Sequence, residues 1–354
     1  MAAYTTIDDP SAYFKVQLYT GDGGTNAITF NDTDTEMQPD LVWIKNRDAT
    51  DRPCLFDSVR GVTYDWHIDA YDIPNAANTD TLTAFGSNGF TVGADVTVNT
   101  NTEKYVAWCW KAGTTSGIDA TGADITPSSY SFNQTSGFSI VQYTGAGSVG
   151  DLLAHGLANV PHWFMIKAVA LNGTARVYHK GFATDAADFY MDTAEADGAV
   201  DNAVVWNDTQ PTSVLLTLGS DNEVNKSSGD KVYFGYVFTS IQGFSKFGSY
   251  EGNGNADGVF VYTGFRPAFV MAKSIDSTSS WDMFDNKREG YNVDNDALDL
   301  TETTAESTDD QIDLLSNGFK CRIATDPNVA ETFIYMAFAE APFVNSNGVP
   351  CNAR

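Results

Sequence analysis

The sequence predicts an all-β protein made of three tandem β-sandwich modules, of jelly-roll or lectin-like shape, with very little helix. Short runs rich in Val, Ile, Phe, Tyr, Trp and Thr are interrupted by Gly, Asn and Asp about every ten residues, which is typical of sandwiches and barrels. Several of these runs recur in the same order along the chain, and such a repeat determines the architecture. At 354 residues, 42% of them hydrophobic, the chain has enough apolar material for a large core.

The first recurring element is a strand that ends in lysine. We expect a central strand of a sheet at each copy, with an aromatic residue near its middle and the lysine in water where the strand ends. The middle aromatics are Trp43, either Trp163 or Phe164, and Phe269. The three copies are PDLVWIK (39–45), VPHWFMIK (160–167) and FRPAFVMAK (265–273).

A second element lies upstream of each lysine strand and a third lies downstream. The upstream copies end in an aromatic residue near a glycine: FKVQLYTG (14–21), FSIVQYTG (138–145) and FSKFGSYEG (244–252). The downstream copies read Tyr, apolar, small, aromatic: YVAW (105–108), YFGY (233–236) and YMAF (335–338). They begin 60, 66 and 62 residues after the shared lysine. This order and spacing predict three copies of one module.

The same elements predict how each module packs. The aromatic residue of the lysine strand should contact the last aromatic of the downstream strand. The small residue just before that last aromatic leaves room for the facing ring. The predicted pairs are Trp43 with Trp108, Phe164 (or Trp163) with Tyr236, and Phe269 with Phe338.

The repeat places the modules at residues 1–115, 134–243 and 244–354. Residues 116–133 form a predicted linker, because the stretch around them is poor in large apolar residues and rich in Gly, Thr, Ser and Asp. No such stretch separates the second module from the third. We therefore expect the middle and last modules to pack together.

Two further features complete the prediction of elements. LFDSVRG (55–61) aligns with MFDNKREG (283–290), and VYHKGF (177–182) is a weaker third copy. Helical periodicity is scarce. The best helix candidate is one short turn near the start, with Asp9 as the N-cap and Pro10 as the first helical residue.

These motifs resemble a family of tandem β-module proteins, structural or tail-fibre-like, of tailed bacteriophages, especially marine ones. The resemblance covers all three modules and implies a non-enzymatic virion protein on the particle exterior, either a tail fibre or appendage or a capsid decoration. It implies other virion proteins as partners and a homo-oligomer. The chain lacks the heptad or collagen-like shaft of a long fibre. The resemblance rests on FKVQLYTG, PDLVWIK, LFDSVRG, GVFVYTGFRPAFVMAK, WDMFDNKREGYN, IYMAFAEAPFV and GVPCNAR.

Composition argues against several other functions. The chain has 20 basic and 46 acidic residues, a formal net charge of −26, so we expect no nucleic-acid partner and no docking on anionic lipid. It has no secretory signal and no apolar run of membrane-spanning length, so we expect no membrane insertion and synthesis in a cytosol. The resemblance to phage proteins implies that this is the host bacterial cytoplasm and that the final location is the virion. The cysteines are far apart and are predicted to be free thiols: Cys54, Cys109, Cys321 and Cys351.

The sequence shows no catalytic motif. None of the four histidines lies in an HExxH or GxSxG context, so we predict no catalytic residues and no enzyme activity. The run NVDNDALDL offers Asp294, Asp296 and Asp299 as ligands for calcium, but it lacks the glycine and terminal glutamate of an EF-hand. A solvated acidic loop is the preferred interpretation, and we expect no other cofactor.

Three tryptophans lie in polar, turn-rich stretches outside the lysine strands: Trp66, Trp206 and Trp281. Exposed rings of this kind stack on sugars or anchor protein interfaces. The alternative is that each ring packs on the sheet of its own module. The exposed interpretation supports a second hypothesis, a carbohydrate-binding protein or polysaccharide depolymerase that contacts a host-surface glycan.

Overall fold

The computed structural model describes residues 3–30, 35–73, 77–226, 231–288, 296–300 and 303–352. It confirms the all-β prediction. Asp9 caps the first short turn by accepting a hydrogen bond from the Ser11 amide. No described helix has the length and apolar character needed to cross a membrane. The helical elements of the described residues are α1 (Val96–Asn99), α2 (Ala203–Trp206) and the 3-10 turns Pro10–Ala12 and Ala186–Asp188.

The first module contains a five-stranded sheet in the order β1-β8-β3-β4-β5 and a small sheet in the order β2-β7-β6. Its strands are β1 (Phe14–Thr20), β2 (Asn26–Thr29), β3 (Leu41–Asn46), β4 (Cys54–Asp57), β5 (Trp66–His67), β6 (Leu82–Gly86), β7 (Gly89–Val92) and β8 (Lys104–Trp110).

The middle module has strands β9 (Ser129–Asn133), β10 (Phe138–Thr144), β11 (Asp151–Ala154), β12 (Trp163–Ala168), β13 (Arg176–His179), β14 (Phe189–Asp192), β15 (Val200–Asp201), β16 (Leu215–Leu218) and β17 (Val232–Phe238). Its large sheet runs β15-β14-β13-β12-β17-β10-β9, and β11 pairs with β16.

The last module has strands β18 (Ser245–Glu251), β19 (Phe260–Tyr262), β20 (Phe265–Ser274), β21 (Asp282–Asp285), β22 (Leu298–Asp299), β23 (Ile312–Leu315), β24 (Gly318–Cys321) and β25 (Thr332–Pro342). Its large sheet runs β18-β25-β20-β21-β22 and its small sheet β19-β24-β23.

The three large sheets share one antiparallel topology. In each, the upstream strand pairs with the downstream strand, which pairs with the lysine strand, followed by two more strands in the first and last modules and three in the middle one. In the first module one face of the large sheet, including Val42 and Ile44, packs on small-sheet residues such as Phe90. The opposite face, including Trp43, belongs to an apolar cluster with residues from all three modules. The lysine strands are therefore buried on both faces, which explains their continuous apolar sequence.

Three rings form the centre of the shared core: Trp110, Phe238 and Phe338. Each pairs with the residue that lies four positions before the repeated lysine, namely Leu41, Trp163 or Phe269. Their centroids are 6.2 Å apart for Trp110 and Phe238, 5.5 Å for Trp110 and Phe338, and 5.8 Å for Phe238 and Phe338. One residue from each module thus contributes to a central triangle of rings.

The repeated lysines are buried, so the prediction that they reach water is wrong. Lys45, Lys167 and Lys273 are each 0% exposed. Burial lowers the pKa of all three ammonium groups to about 8. Each group donates to the carbonyl of the next residue and to a loop carbonyl, which replaces the lost water: Lys45 to Asn46 (3.0 Å) and Thr304 (2.9 Å), Lys167 to Ala168 (3.0 Å) and Leu171 (2.9 Å), and Lys273 to Ser274 (2.8 Å) and Ala196 (2.9 Å).

A polar residue at the end of β4, β13 and β21 joins each module to another. We call Asp57, His179 and Asp285 the joint residues. The first module bonds to the middle one, the middle to the last, and the last to the first, so the contacts close a cycle. Tyr236 Oη donates to Asp57 Oδ2 (2.7 Å), His179 Nε2 donates to the Tyr335 carbonyl (3.1 Å), and Trp108 Nε1 donates to Asp285 Oδ2 (3.1 Å).

The aligned strands require one correction to the predicted repeat. Stacked rings recur between upstream and downstream strands, and in the last module Phe333 takes the place of the tyrosine. YMAF is therefore shifted by two residues from its true counterpart. The three stacked pairs are Tyr19 with Tyr105 (5.1 Å), Tyr143 with Tyr233 (5.2 Å) and Tyr250 with Phe333 (5.3 Å).

The shift moves the small residue to the other strand. Tyr335 occupies the position of Ala107 and Gly235, and the residue opposite it is Gly248. A Cβ atom at Gly248 would lie 2.9 Å from the Tyr335 ring. The room that the sequence predicts beside a small residue is thus present, but the last module supplies it from β18.

The predicted core aromatics are all buried: Trp43, Trp108, Phe164, Tyr236, Phe269 and Phe338. Trp43 contacts Trp108 at 5.8 Å and Phe269 contacts Phe338 at 6.4 Å, as predicted. Phe164 does not pack on Tyr236, because β12 pairs Phe164 with Val237 and Met165 with Tyr236. Adjacent residues of a strand point to opposite faces, so these two rings lie on opposite sides of the sheet.

The predicted linker, 116–133, is partly a strand. β9 (Ser129–Asn133) pairs with β10 and forms the edge of the middle sheet. Its sequence SYSFN alternates small polar and aromatic residues, and Phe132 is buried. Apart from β9, each large sheet draws its strands from one of the predicted modules, and the shared core shows that the modules do not pack independently.

Candidate functional site

A cleft of about 610 Å³ lies between the middle and last modules. His162 precedes β12, Lys180 follows β13, and Lys246 and Phe247 lie on β18, the edge strand of the last sheet. Tyr262, at the end of β19, completes the rim. No carboxylate is among the described residues that line the cleft, although the chain carries a net charge of −26.

The two lysines carry the positive charge of the cleft. Burial and the nearby positive charge of Lys180 together lower the pKa of His162 to about 4, so the ring is neutral at pH 7. Nδ1 of this ring lies 3.0 Å from Thr239 Oγ1 and 3.3 Å from the Ser240 amide nitrogen, so this ring nitrogen is engaged within the fold. Burial also lowers the pKa of Lys246, whose ammonium donates to the Tyr262 carbonyl at 2.5 Å. The cleft thus offers donors and positive charge, the chemistry that recognises an anionic group.

Two aromatic side chains are exposed beside this cleft. Phe260 and Tyr262 are each 48% exposed, and they lie on the same face of β19 because they are two residues apart. The Lys246 ammonium lies 5.2 Å from the centroid of the Tyr262 ring. Sequence reasoning missed both residues because GVFVY reads as an ordinary apolar strand.

The three tryptophans predicted to be exposed are buried. Trp66, Trp206 and Trp281 are 1%, 1% and 2% exposed, so their rings have no surface for a sugar. Trp66 packs edge to face on Phe234 of the middle module at 5.3 Å, and Trp206 packs on Phe164 of its own module at 4.8 Å. Trp281 lines a small space between the middle and last modules with Trp163 and His179. The exposed interpretation is therefore wrong for all three rings, and the alternative of a ring packed on its own module is wrong for Trp66, which packs on the middle module.

The two other junctions between modules differ from this cleft. The one between the last and first modules is a cleft of about 190 Å³ and contains Lys15, Lys287 and an Arg266–Glu340 ion pair. The position between the first and middle modules is filled by β9 and the chain before it. There Asp40 accepts hydrogen bonds from Ser58 and Ser131 and from the Ala112 amide. The three junctions therefore differ in charge and in occupancy.

Cys54, His67 and Asp72 form a polar group in the first module that resembles a nucleophile, a base and an acid. The Asp72 carboxylate lies 2.9 Å from His67 Nδ1. Cys54, however, is 0% exposed, and burial raises the pKa of its thiol, so no substrate can reach a thiolate. The corresponding strand pairs are Arg176 with Asp192 and Asp282 with Asp299. We interpret this position as a structural polar pair of the sheet.

The predicted calcium ligands do not form a site in the described part of the chain. Asp294 lies outside the described residues. Asp296 is buried, and Asp299 pairs with Asp282 across β21 and β22. Burial raises the pKa of Asp282 well above its ordinary value, and the Asp299 charge raises it further. No group of three metal-ligating side chains occurs among the described residues.

Comparison with known proteins adds one finding. No curated protein matches the chain. A family model named DUF7483, described as a domain of unknown function, matches residues 9–342. The match is continuous across all three modules and their junctions, in agreement with the shared core. The chain belongs to the DUF7483 family.

Proposed function

We propose that the chain is a non-enzymatic structural protein of a bacteriophage particle, displayed on the particle exterior as a tail fibre, an appendage or a capsid decoration. The observation that carries this proposal is the closed cycle of joint residues around one shared core. A unit of this kind presents rigid surfaces for assembly and excludes water from its polar groups. The resemblance of the repeated motifs to phage structural proteins supports the same role.

The polar groups of the described residues support a structural role as well. The buried lysines and joint residues bond to backbone carbonyls and to side chains of other modules, so their hydrogen-bonding capacity is used within the fold. The Cys54 thiol is closed to solvent. On this proposal the partners are other virion proteins and further copies of the chain, and no reaction is catalysed.

Locating the chain in a phage preparation tests the proposal. Particles purified from an infected culture would be examined by mass spectrometry and by immunogold electron microscopy with antibodies against the folded chain. We expect the chain in purified particles and gold at regular positions, on the tail for an appendage or over the head for a decoration. Recovery of the chain only in the soluble fraction of the lysate would contradict the proposal.

A second candidate is carbohydrate binding or depolymerisation at a host surface, favoured by the exposed Tyr262 and Phe260 next to Lys246. An exposed ring stacks on a sugar face, and an ammonium pairs with an acidic substituent. Tyr262→Ala should then lower binding of host polysaccharide about tenfold, whereas Tyr71→Ala, at an exposed ring away from the cleft, should leave it unchanged. Equal binding by both variants would remove this candidate, and a fall in polysaccharide viscosity would identify a depolymerase.

A further inference from the structure

The upstream strands of the three modules differ in what covers their outer edge. β10 is covered by β9, which pairs with it from Phe138 to Gln142. β18 and β1 are the edges of their sheets. An uncovered edge presents backbone N–H and C=O groups that can pair with another strand. In the middle module, β9 thus shows how an additional strand pairs with an upstream strand. The corresponding edges of β1 and β18 have no such strand.

The shared topology relates β10 and β18 residue by residue. Phe138 and Ser245 pair with the central rings Phe238 and Phe338, so Ile140 corresponds to Phe247 and Gln142 to Ser249. In the middle module Ser131 of β9 lies opposite Ile140. In the last module the short turn after β17 replaces β9. It bonds the amides of Ser245 and Phe247 through Ile241 and Ser240, and β18 continues beyond them to Glu251.

The residues that border the filled junction and the open cleft differ in charge and in hydrogen-bonding role at corresponding positions. Asp40 and His162 each immediately precede the lysine strand, and Ser58 and Lys180 each follow a joint residue. In the filled junction Asp40 accepts from Ser58 at 2.6 Å, from the Ala112 amide at 2.9 Å and from Ser131 at 3.4 Å. In that junction Asp40 of the first module is the hydrogen-bond acceptor, and Ser131 of β9 is a donor. In the open cleft Lys180 of the middle module supplies a positive charge instead. A strand that binds there must therefore supply a hydrogen-bond acceptor or a negative charge.

We propose that the cleft between the middle and last modules binds an extended segment of another protein, which adds antiparallel to β18 and places a carboxylate beside His162 and Lys180. The segment pairs with β18 beyond Phe247, at Ser249 and Glu251, because the turn after β17 already bonds the Ser245 and Phe247 amides. Main-chain hydrogen bonds to β18 provide affinity, and the cleft selects an acidic side chain. This inference deepens the proposed structural role by naming the kind of partner segment, but its test does not depend on where the chain lies in a particle.

The chain's own linker supplies a probe. A fluorescein-labelled peptide with the sequence of residues 126–134 and the change Ser131→Asp would be titrated into the full chain, and binding would be followed by fluorescence polarisation. A second peptide would carry Ser131→Lys. We expect saturable binding of the Asp peptide, and binding of the Lys peptide about tenfold weaker or worse, because the Lys peptide opposes Lys180 and Lys246. Binding should strengthen the hydrogen-exchange protection of Ser249 and Glu251.

Charge reversal on the protein provides the matched test. Lys180→Glu should weaken binding of the Asp peptide about tenfold and strengthen binding of the Lys peptide. Lys104→Glu, at an exposed lysine of the first module, should leave the affinity for both peptides unchanged. Circular dichroism would verify that both variants are folded. The proposal is wrong if the Asp peptide does not saturate, if both peptides bind equally, or if Lys180→Glu has no effect. It is also wrong if an acidic oligosaccharide, such as oligogalacturonate, binds in a Lys180-dependent way while neither peptide does.

Discussion

At the scale of single residues, the buried lysines show how a charge can be part of a core. Each ammonium is surrounded by backbone carbonyls in place of water, and the carbonyls of Thr304 and Ala196 reach Lys45 and Lys273 from a different module. Burial costs free energy, as the pKa values of about 8 show, but the carbonyls compensate for part of it. The lysines therefore fix the positions of these loops and, for Lys45 and Lys273, attach one module to another.

Replacing one ammonium by a methyl group should measure this contribution. Lys273→Met keeps the apolar stem but leaves the carbonyls of Ser274 and Ala196 without a donor, so we expect a loss of about 2–4 kcal/mol in the free energy of unfolding. Chemical denaturation would provide the value. Lys104→Met, at an exposed site, should change it by less than about 0.5 kcal/mol. Equal effects of the two variants would show that the carbonyls find water instead.

His179 should make stability depend on pH. Burial lowers its pKa from 6.5 to about 3, and the unfolded chain takes up the proton first as the pH falls below 6.5. Its stabilising contribution is thus complete above pH 6.5 and is lost as the pH approaches 3, by at most about 1.4 kcal/mol per pH unit. The difference in unfolding free energy between wild type and His179→Gln, measured from pH 7 to pH 4, should shrink accordingly. A constant difference would contradict this.

At the scale of elements, the upstream and downstream strands of the middle and last modules pair in the same register. The small residue of one cross-strand pair, however, lies on the downstream strand in the middle module and on the upstream strand in the last. Val141 lies opposite Gly235 in the middle module, whereas Gly248 lies opposite Tyr335 in the last one. The small residue thus lies on β17 in the middle module and on β18 in the last one, so each pair places only one large side chain at this position, as close packing requires.

A double-mutant cycle tests this exchange. Gly248→Val forces a side chain against the Tyr335 ring and should cost about 1–3 kcal/mol of unfolding free energy. Tyr335→Ala leaves a cavity and should cost about 3–5 kcal/mol. The double variant should be more stable than Tyr335→Ala alone, because the valine occupies the cavity. Additive losses would show that the two residues do not share the space.

The same elements show what the sequence could predict. The lysine strands, the downstream strands and the turn after Asp9 were predictable because local pattern determines them. The register of the last downstream strand could not be predicted, because FIYM (333–336) and YMAF (335–338) both fit the repeated pattern of residue types. Only the pairing with β18 shows that FIYM is the counterpart of the other two copies. Trp66 was misassigned because its neighbours in sequence face outward while its own side chain faces the core. The cleft was beyond prediction, because segments around residues 162, 180, 246 and 262 meet only in the folded chain.

At the scale of the whole molecule, the three modules should unfold as one unit. Their shared core and central triangle mean that no module can lose its fold without exposing apolar surface of the other two. Differential scanning calorimetry should therefore show one transition. Trp110→Ala should move that transition as a whole to lower temperature, with a loss of about 3–5 kcal/mol. Three separate transitions, with only one of them shifted, would show that the modules are independent.

The cyclic contacts of the joint residues also limit how such a chain can evolve. Open stacks of repeats change length freely, because each unit contacts only its neighbours and an internal unit can be gained or lost. Here Asp57, His179 and Asp285 each need a partner in a particular other module. Duplication or deletion of one module would leave a buried polar group unpaired and open the ring of aromatic side chains. Gene variants of this protein should therefore differ in loops and surface residues while the copy number stays at three.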